Sequence, residues 1–292
     1  MGLEDSTLKV LGGSASPLLA TRLAKELDVS QGKVDTKRFP DGECYVRIHD
    51  DLEREDVVLV QSTRTDPEVV ELLLLQDAIQ EYRVRSLITV VPYFGYARQD
   101  KLFNKGEAIS SRALIQAIQR NTDTVLLVDV HNLTILTYFD IPVENISGML
   151  QIANFLKDAG AEMVLSPDEG SVSRARIVGQ IIGTSVDYLE KTRIDGETVK
   201  ITTKMLDVYR KRVAIVDDII ATGGTIVEAA KQLKDQGAKE VIAACTHGLY
   251  AQGALEKLEK VVDTIVSSDT IENETSAVSV APELAKAIKN YQ

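Results

Sequence analysis

The 292-residue chain carries 33 basic and 44 acidic side chains, a net charge of −11, with 44% hydrophobic residues and no tryptophan. A surface that binds polyanions is normally basic, which excludes nucleic acid as an expected partner. No apolar run nears the roughly 18 residues of a membrane helix, so no membrane partner is expected either.

The length suits two domains better than one, taking about 100–200 residues for each. Cys44 and Cys245 stand in unrelated contexts and suggest neither a disulfide framework nor a metal cluster. The opening MGLEDS has no basic or apolar signal region, so a cytoplasmic location is expected.

In chain order, Leu8–Leu11 reads as a strand. Ser16-Pro17 then starts a helix that carries Leu19, Leu23 and Leu27 on one face. Val34–Phe39 and Cys44–Ile48 flank the turn sequence Pro40-Asp41-Gly42, which predicts a β-hairpin standing off the main sheet. Val57–Val60, a helix opened by Asp66-Pro67-Glu68, Leu87–Val91 and Val125–Val130 follow. The second half offers strands at Met163–Leu165, Val186–Leu189, Val213–Val216, Val241–Ala244 and Ile265–Ser267. Ile226, Ala230 and Leu233 mark a helix that ends near Gly237, and another follows Pro282. Continuously apolar Val/Ile runs between helices predict an α/β fold with parallel sheets.

The halves echo each other. KVLGGSASPLLATRLA matches MVLSPDEGSVSRARIV in its order of elements, and VLLVDVHN matches VIAACTHG, with His131 and His247 in corresponding places. Two similar domains are expected, residues 1–146 and 147–280, with a last helix at 281–292 that could pack on the first.

The chemistry concentrates in VAIVDDIIATGGT, Val213–Thr225. A buried strand is predicted to end at Asp217-Asp218 and deliver both to the carboxyl edge of the sheet, where α/β ligand sites lie. Ala221, Thr222, Gly223, Gly224 and Thr225 then lead into a helix whose free N–H groups and dipole attract phosphate. Paired aspartates can accept hydrogen bonds from two vicinal hydroxyls. Without a Gly-Lys-Ser/Thr sequence this is no Walker P-loop, and the reading is a site for a phosphorylated sugar.

This loop resembles that of the phosphoribosyltransferase fold. Together with FPDGE at 39–43, PYFGYARQDK at 92–101, VDVHN at 128–132 and SPDEG at 166–170, the chain resembles the ribose-phosphate pyrophosphokinase family over nearly its whole length. The resemblance implies two phosphoribosyltransferase-like domains, each a mainly parallel sheet flanked by helices. It also implies transfer of the pyrophosphoryl group of ATP to the anomeric hydroxyl of ribose 5-phosphate, giving 5-phosphoribosyl 1-pyrophosphate (PRPP) and AMP for nucleotide biosynthesis.

By the same resemblance His131 and Asp168 would bind Mg2+, Arg98 and Gln99 would contact ATP, and Lys191 and Arg193 would belong to a catalytic loop. Arg193 would also meet the sugar phosphate. Phe39, Asp41, Gly42 and Glu43 would complete the ATP site of a neighbouring subunit, which requires a homo-oligomer of at least two chains. His49 and His247 are read as structural. Ala221 stands where many relatives carry Asp, and Leu102–Glu107 is less basic than expected, which bears on regulation. The alternatives are a phosphoribosyltransferase that consumes PRPP and a non-catalytic regulatory relative.

Overall fold

The computed structural model describes residues 8–189, 191–193, 199–201 and 206–291, with backbone alone for 191–193 and 199–201. The chain divides into two compact units. Unit 1 holds residues 1–147, 270–272 and 279–292, and unit 2 holds 148–269 and 273–278.

Unit 1 runs β1 (Leu8–Gly12), α1 (Pro17–Leu27), β2 (Val34–Arg38), β3 (Cys44–Ile48), β4 (Asp56–Val60), α2 (Asp66–Gln80), β5 (Ser86–Val91), α3 (Ser110–Ile118), β6 (Thr124–Val128) and β7 (Val143–Ile146). Unit 2 runs α4 (Met149–Asp158), β8 (Met163–Ser166), α5 (Val172–Ile182), β9 (Ser185–Tyr188), β10 (Lys191–Arg193), β11 (Val199–Ile201), β12 (Arg212–Ile220), α6 (Gly224–Asp235), β13 (Glu240–Gly248), α7 (Ala254–Leu258), β14 (Thr264–Ser268) and β15 (Ser276–Val278). The last helix, α8 (Ala281–Ile288), belongs to unit 1.

Among the described residues, unit 1 has a parallel sheet in the order β1-β4-β5-β6-β7 and a separate antiparallel β2–β3 hairpin. Its central strands are buried along their length, because helices cover both faces. One face packs under α1 and α8, with Leu19, Leu23, Leu284 and Ile288 fully buried. The other packs under α2 and α3, with Leu72, Leu75 and Ile115.

Unit 2 repeats the plan with the parallel order β15-β14-β13-β12-β8-β9 and an antiparallel β10–β11 hairpin. Its two faces are covered by α4 and α5 on one side and α6 on the other.

The repeat extends to topology. In unit 2, β8 pairs with β9 on one edge and β12 on the other, with β10–β11 between β9 and β12 in sequence. In unit 1, β1 pairs with β4 on one edge and makes a single parallel bridge, Val10 to Gln31, on the other. The hairpin follows that bridge. Thus the FPDGE hairpin and the hairpin bearing Lys191 and Arg193 occupy equivalent positions in the two chain paths.

Two strand ends near the expected site move, and one helix cap differs in its partners. Val125–Val130 ends at Val128, because Asp129 turns into the left-handed region at φ 38°. The strand of Val213–Val216 does not end at Asp217-Asp218 but runs to Ile220, since Ile219 and Ile220 stay in register with His247 and Gly248 of β13. Ser16 precedes α1 without a capping side chain: its hydroxyl accepts from Ser62 N at 3.0 Å, while Glu272 Oε1 accepts from Leu19 N at 2.8 Å.

Leu284 has no solvent exposure, so Leu284→Ala should remove core volume without collapse of the surrounding helices. We expect a loss of about 2–5 kcal/mol, measured as a lower denaturant midpoint at an unchanged slope.

Candidate active site

In unit 2 the site follows from unequal strand lengths. β8 pairs with β12 only as far as Ile215, opposite Leu165. Beyond that point β12 keeps β13 on one edge and, among the described residues, has no strand on the other, just where Asp217 and Asp218 fall. This is the switch point of an open parallel sheet, where α/β folds place ligands.

The β8–α5 turn fills the neighbouring position. Asp168 Oδ1 accepts from Ser171 N at 3.0 Å, a three-residue turn that starts α5. The Ser166 hydroxyl donates to Asp168 O at 2.6 Å. Ser171 Oγ donates to Asp217 Oδ1 at 2.8 Å, and an Arg174 Nη lies 3.1 Å from Asp218 Oδ2. Asp218 is 1% exposed. The sequence reading missed Ser171 and Arg174, although their signal is present: they sit three and six residues after Asp168 at the start of a helix.

Two adjacent carboxyl groups, one buried and one half-buried, cannot both ionise cheaply. Burial first, then the hydrogen bond and charge of Asp218, raise Asp217 to about 7, while the Ser171 hydroxyl pulls the other way. Between pH 3.8 and about 7 the folded state therefore holds a proton on Asp217 that the unfolded chain has released.

After β12, Ala221 and Thr222 lead to Gly223, whose φ of 70° a side chain would strain, and α6 begins at Gly224. No side chain caps α6. A Cβ on Gly224 would meet nothing within 4 Å, so the backbone there is open to a close anion. Thr222 is exposed and Thr225 half-buried.

In unit 1 the corresponding β1–α1 turn is closed from within. The buried Glu71 carboxyl accepts from Ser14 N and Ser14 Oγ, both at 2.7 Å, and from Gln61 Nε2 at 3.3 Å. Gln61 Oε1 accepts from Ala15 N at 3.0 Å. A Cβ on Gly13 would lie 2.3 Å from Gln61 Oε1, so glycine there is a packing requirement.

Elsewhere in unit 1, the turn 92–101 approaches the carboxyl end of β4 closely enough that a Cβ on Gly95 would lie 2.0 Å from Thr63 O. Arg98 is exposed on this turn, and Gln99 Nε2 donates to Ala108 O at 3.4 Å. Asp100, 8% exposed, accepts from Asn132 Nδ2, and Tyr138 OH donates to Asp100 O at 2.9 Å. The turn with Arg98 and Gln99 is thereby joined to the loop that presents exposed His131. Asn132 is the link that the motif reading passed over.

The hairpin tip carries Phe39, Asp41, Gly42 and Glu43, all exposed. Phe39 does not pack under a sheet: its ring meets Tyr45 edge-on at 5.9 Å, with Lys37 Nζ 5.1 Å from its centroid. His49 Nε2 pairs with Asp35 at 2.6 Å, and His247 is buried. Lys191 and Arg193 lie on the β10 backbone, and their side chains fall outside the described residues.

His131 belongs to unit 1 and Asp168 to unit 2. Among the described residues, no three His, Cys, Asp or Glu are grouped to hold a metal ion. A single carboxylate such as Asp168 fits a hard cation that takes its remaining ligands from water and phosphate, as Mg2+ does. No described helix is long and apolar enough to cross a membrane.

Comparison with known proteins bears on both units. Residues 8–121 match the N-terminal domain of ribose phosphate pyrophosphokinase, and residues 142–284 match the phosphoribosyl transferase domain. A ribose-phosphate pyrophosphokinase of Methanosarcina mazei is 42% identical over 291 residues, 99% of this chain and 97% of that protein. One from Methanopyrus kandleri is 41% identical, covering 96% of this chain and 98% of its own. The crystal structure of phosphoribosylpyrophosphate synthetase from Mycobacterium smegmatis superposes with a TM-score of 0.84 at 29% identity, covering 98% of this chain and 99% of its own.

Because Asp217 is raised to about 7 by burial, its contribution is least unfavourable below the unfolded value of 3.8. Stability is lost as pH rises from there through about 7. Asp217→Asn should flatten this dependence. Its stability gain over the parent should be about 2 kcal/mol larger at pH 8 than at pH 5, checked by denaturant unfolding at the two pH values.

Proposed function

This chain belongs to the ribose-phosphate pyrophosphokinase family and is an enzyme of that activity, and we propose that unit 2 holds ribose 5-phosphate while unit 1 supplies the residues for ATP. The observation that carries the assignment is the coincidence, at one switch point, of the half-buried Asp217 and buried Asp218 with an uncapped helix start at Gly223-Gly224. Asp217 and Asp218 accept from the vicinal hydroxyls of the sugar. The backbone of Ala221–Thr225 and the hydroxyls of Thr222 and Thr225 cradle its 5-phosphate.

Arg98 and Gln99 contact ATP, and the Asp100–Asn132 link keeps their turn beside His131. An exposed Phe39 with acids at a hairpin tip suits stacking on adenine in another copy of the chain, so we assign Phe39, Asp41, Gly42 and Glu43 to a shared site in a homo-oligomer. Mg2+, with Asp168 and His131 as candidate ligands, supplies charge neutralisation on the phosphates when bound. The net negative charge agrees with an enzyme of small phosphorylated substrates, for which we propose a cytoplasmic location.

In the reaction the anomeric oxygen bonds to the β-phosphorus of ATP. The bond from that phosphorus to the α–β bridging oxygen breaks, AMP leaves with that oxygen, and the hydroxyl proton passes to solvent. Such transfer depends on positioning and on cations placed in advance. Lys191 and Arg193 serve the transferring group, and Arg193 also meets the sugar phosphate.

Incubation with ATP, Mg2+ and ribose 5-phosphate should yield AMP and PRPP in equal amounts. A folded protein that forms neither overturns the proposal. Lys191→Ala should lower kcat by about 100-fold or more, as loss of a transition-state donor does. Its ATP binding, measured by calorimetry, should change by less than about threefold, the mark of a residue that acts chiefly in the transition state.

A further inference from the structure

Asp217 and Asp218 are neighbours on a strand, and an extended strand sends adjacent side chains to opposite faces. Both are nevertheless held by one element, the start of α5. Ser171 precedes the helix and reaches Asp217 at 2.8 Å, and Arg174 in the first turn reaches Asp218 at 3.1 Å. Positions three apart share a helix face. The same Ser171 is fixed through its backbone N–H to Asp168 at 3.0 Å. α5 thus occupies the edge of β12 that β8 leaves beyond Ile215.

A buried ion pair is a poor device for stability alone, because desolvation offsets much of its attraction. The Arg174 side chain is 19% exposed and that of Asp218 2%, so the pair carries this desolvation cost at the floor of the site. Its planar fork constrains the carboxylate in a way that a lysine would not.

We propose that Arg174, assisted by Ser171, is a positioning residue that sets Asp218 as a hydroxyl acceptor and so makes the site selective for a vicinal diol over a deoxy sugar phosphate. The proposal rests on the assignment of ribose 5-phosphate to unit 2. A site built to hydrogen-bond a hydroxyl rejects the analogue that lacks it, because its own polar group is then left unpaired. Without Arg174 the Asp218 carboxylate loses the guanidinium that constrains it, and that rejection weakens. ATP has no part in this contact.

The test compares kcat/KM for ribose 5-phosphate with that for its 2-deoxy and 3-deoxy analogues, at saturating ATP, in the parent, Arg174→Met, Arg174→Lys and Ser171→Ala. For Arg174→Met we expect KM for ribose 5-phosphate to rise about 30-fold, in line with the loss of one partner of a buried charge pair. KM for ATP should move less than about threefold, and the preference over at least one deoxy analogue should shrink about tenfold, the discrimination that a positioned polar contact supplies. Arg174→Lys should recover part of both effects. Ser171→Ala should raise KM for ribose 5-phosphate by about threefold to tenfold, the value of one ordinary hydrogen bond.

If Arg174→Met does not fold, the lysine and alanine variants decide the matter by the same split. Unchanged preferences, or equal shifts in both KM values, overturn the role of Arg174 and leave the assigned activity standing. A parent protein that fails to convert ribose 5-phosphate overturns that assignment, and this role with it.

Discussion

The arrangement of unit 2 depends on one constraint: two neighbouring carboxyl groups, one buried and one half-buried, must be held at the end of a strand. An apolar strand could end anywhere along β12 without cost. A strand that carries Asp217 and Asp218 past the end of β8 needs donors on the edge that β8 has vacated. The start of α5 meets that need with a hydroxyl and a guanidinium, and the turn that places them is closed by Asp168. The fold therefore commits the β8–α5 turn, the end of β12 and the start of α6 to one another. A change in any of the three would be felt at the other two.

The two units show how one chain path serves different ends. Each places a strand, a helix, an edge pairing and an antiparallel hairpin before its next long inner strand. In unit 2 the hairpin carries Lys191 and Arg193. In unit 1 the equivalent hairpin ends in Phe39, Asp41 and Glu43, and Lys37 lies over its exposed aromatic pair. Cationic residues such as Lys191 and Arg193 suit phosphate, and an aromatic tip with acids suits a flat, amine-bearing ring. The scaffold is shared, and the residues on the two hairpins differ.

Much of this was legible in the sequence, for identifiable reasons. The parallel strands announce themselves as unbroken Val/Ile runs because both faces are covered. The β2–β3 hairpin is visible because Pro40-Asp41-Gly42 leaves the chain little choice but a turn, and Gly42 does adopt a positive φ of 94°. The extension of β12 through Asp217 and Asp218 was not legible. Acidic residues lower strand propensity, and only the register with β13 overrides it. Ser171 and Arg174 were equally hidden, because their meaning lies in partners more than forty residues away. Glu71 looks like an ordinary helix residue until the β1–α1 turn is folded onto it. The motifs marked where ligands are expected, while the residues that hold those motifs in place emerged only with tertiary structure.

Glu71 has a further consequence. A chain with two copies of the same fold would, by symmetry, offer two anion-accepting turns, one after β1 and one after β8. In the first copy the backbone and hydroxyl donors of Ser14 are already satisfied by a carboxyl group from the chain itself, with Gln61 wedged beside it. The donors that could have received a ligand are already taken by Glu71 and Gln61. The two copies thus close the same turn by different means, the first with a carboxyl group brought from a distant helix and the second with Asp168 of the turn itself.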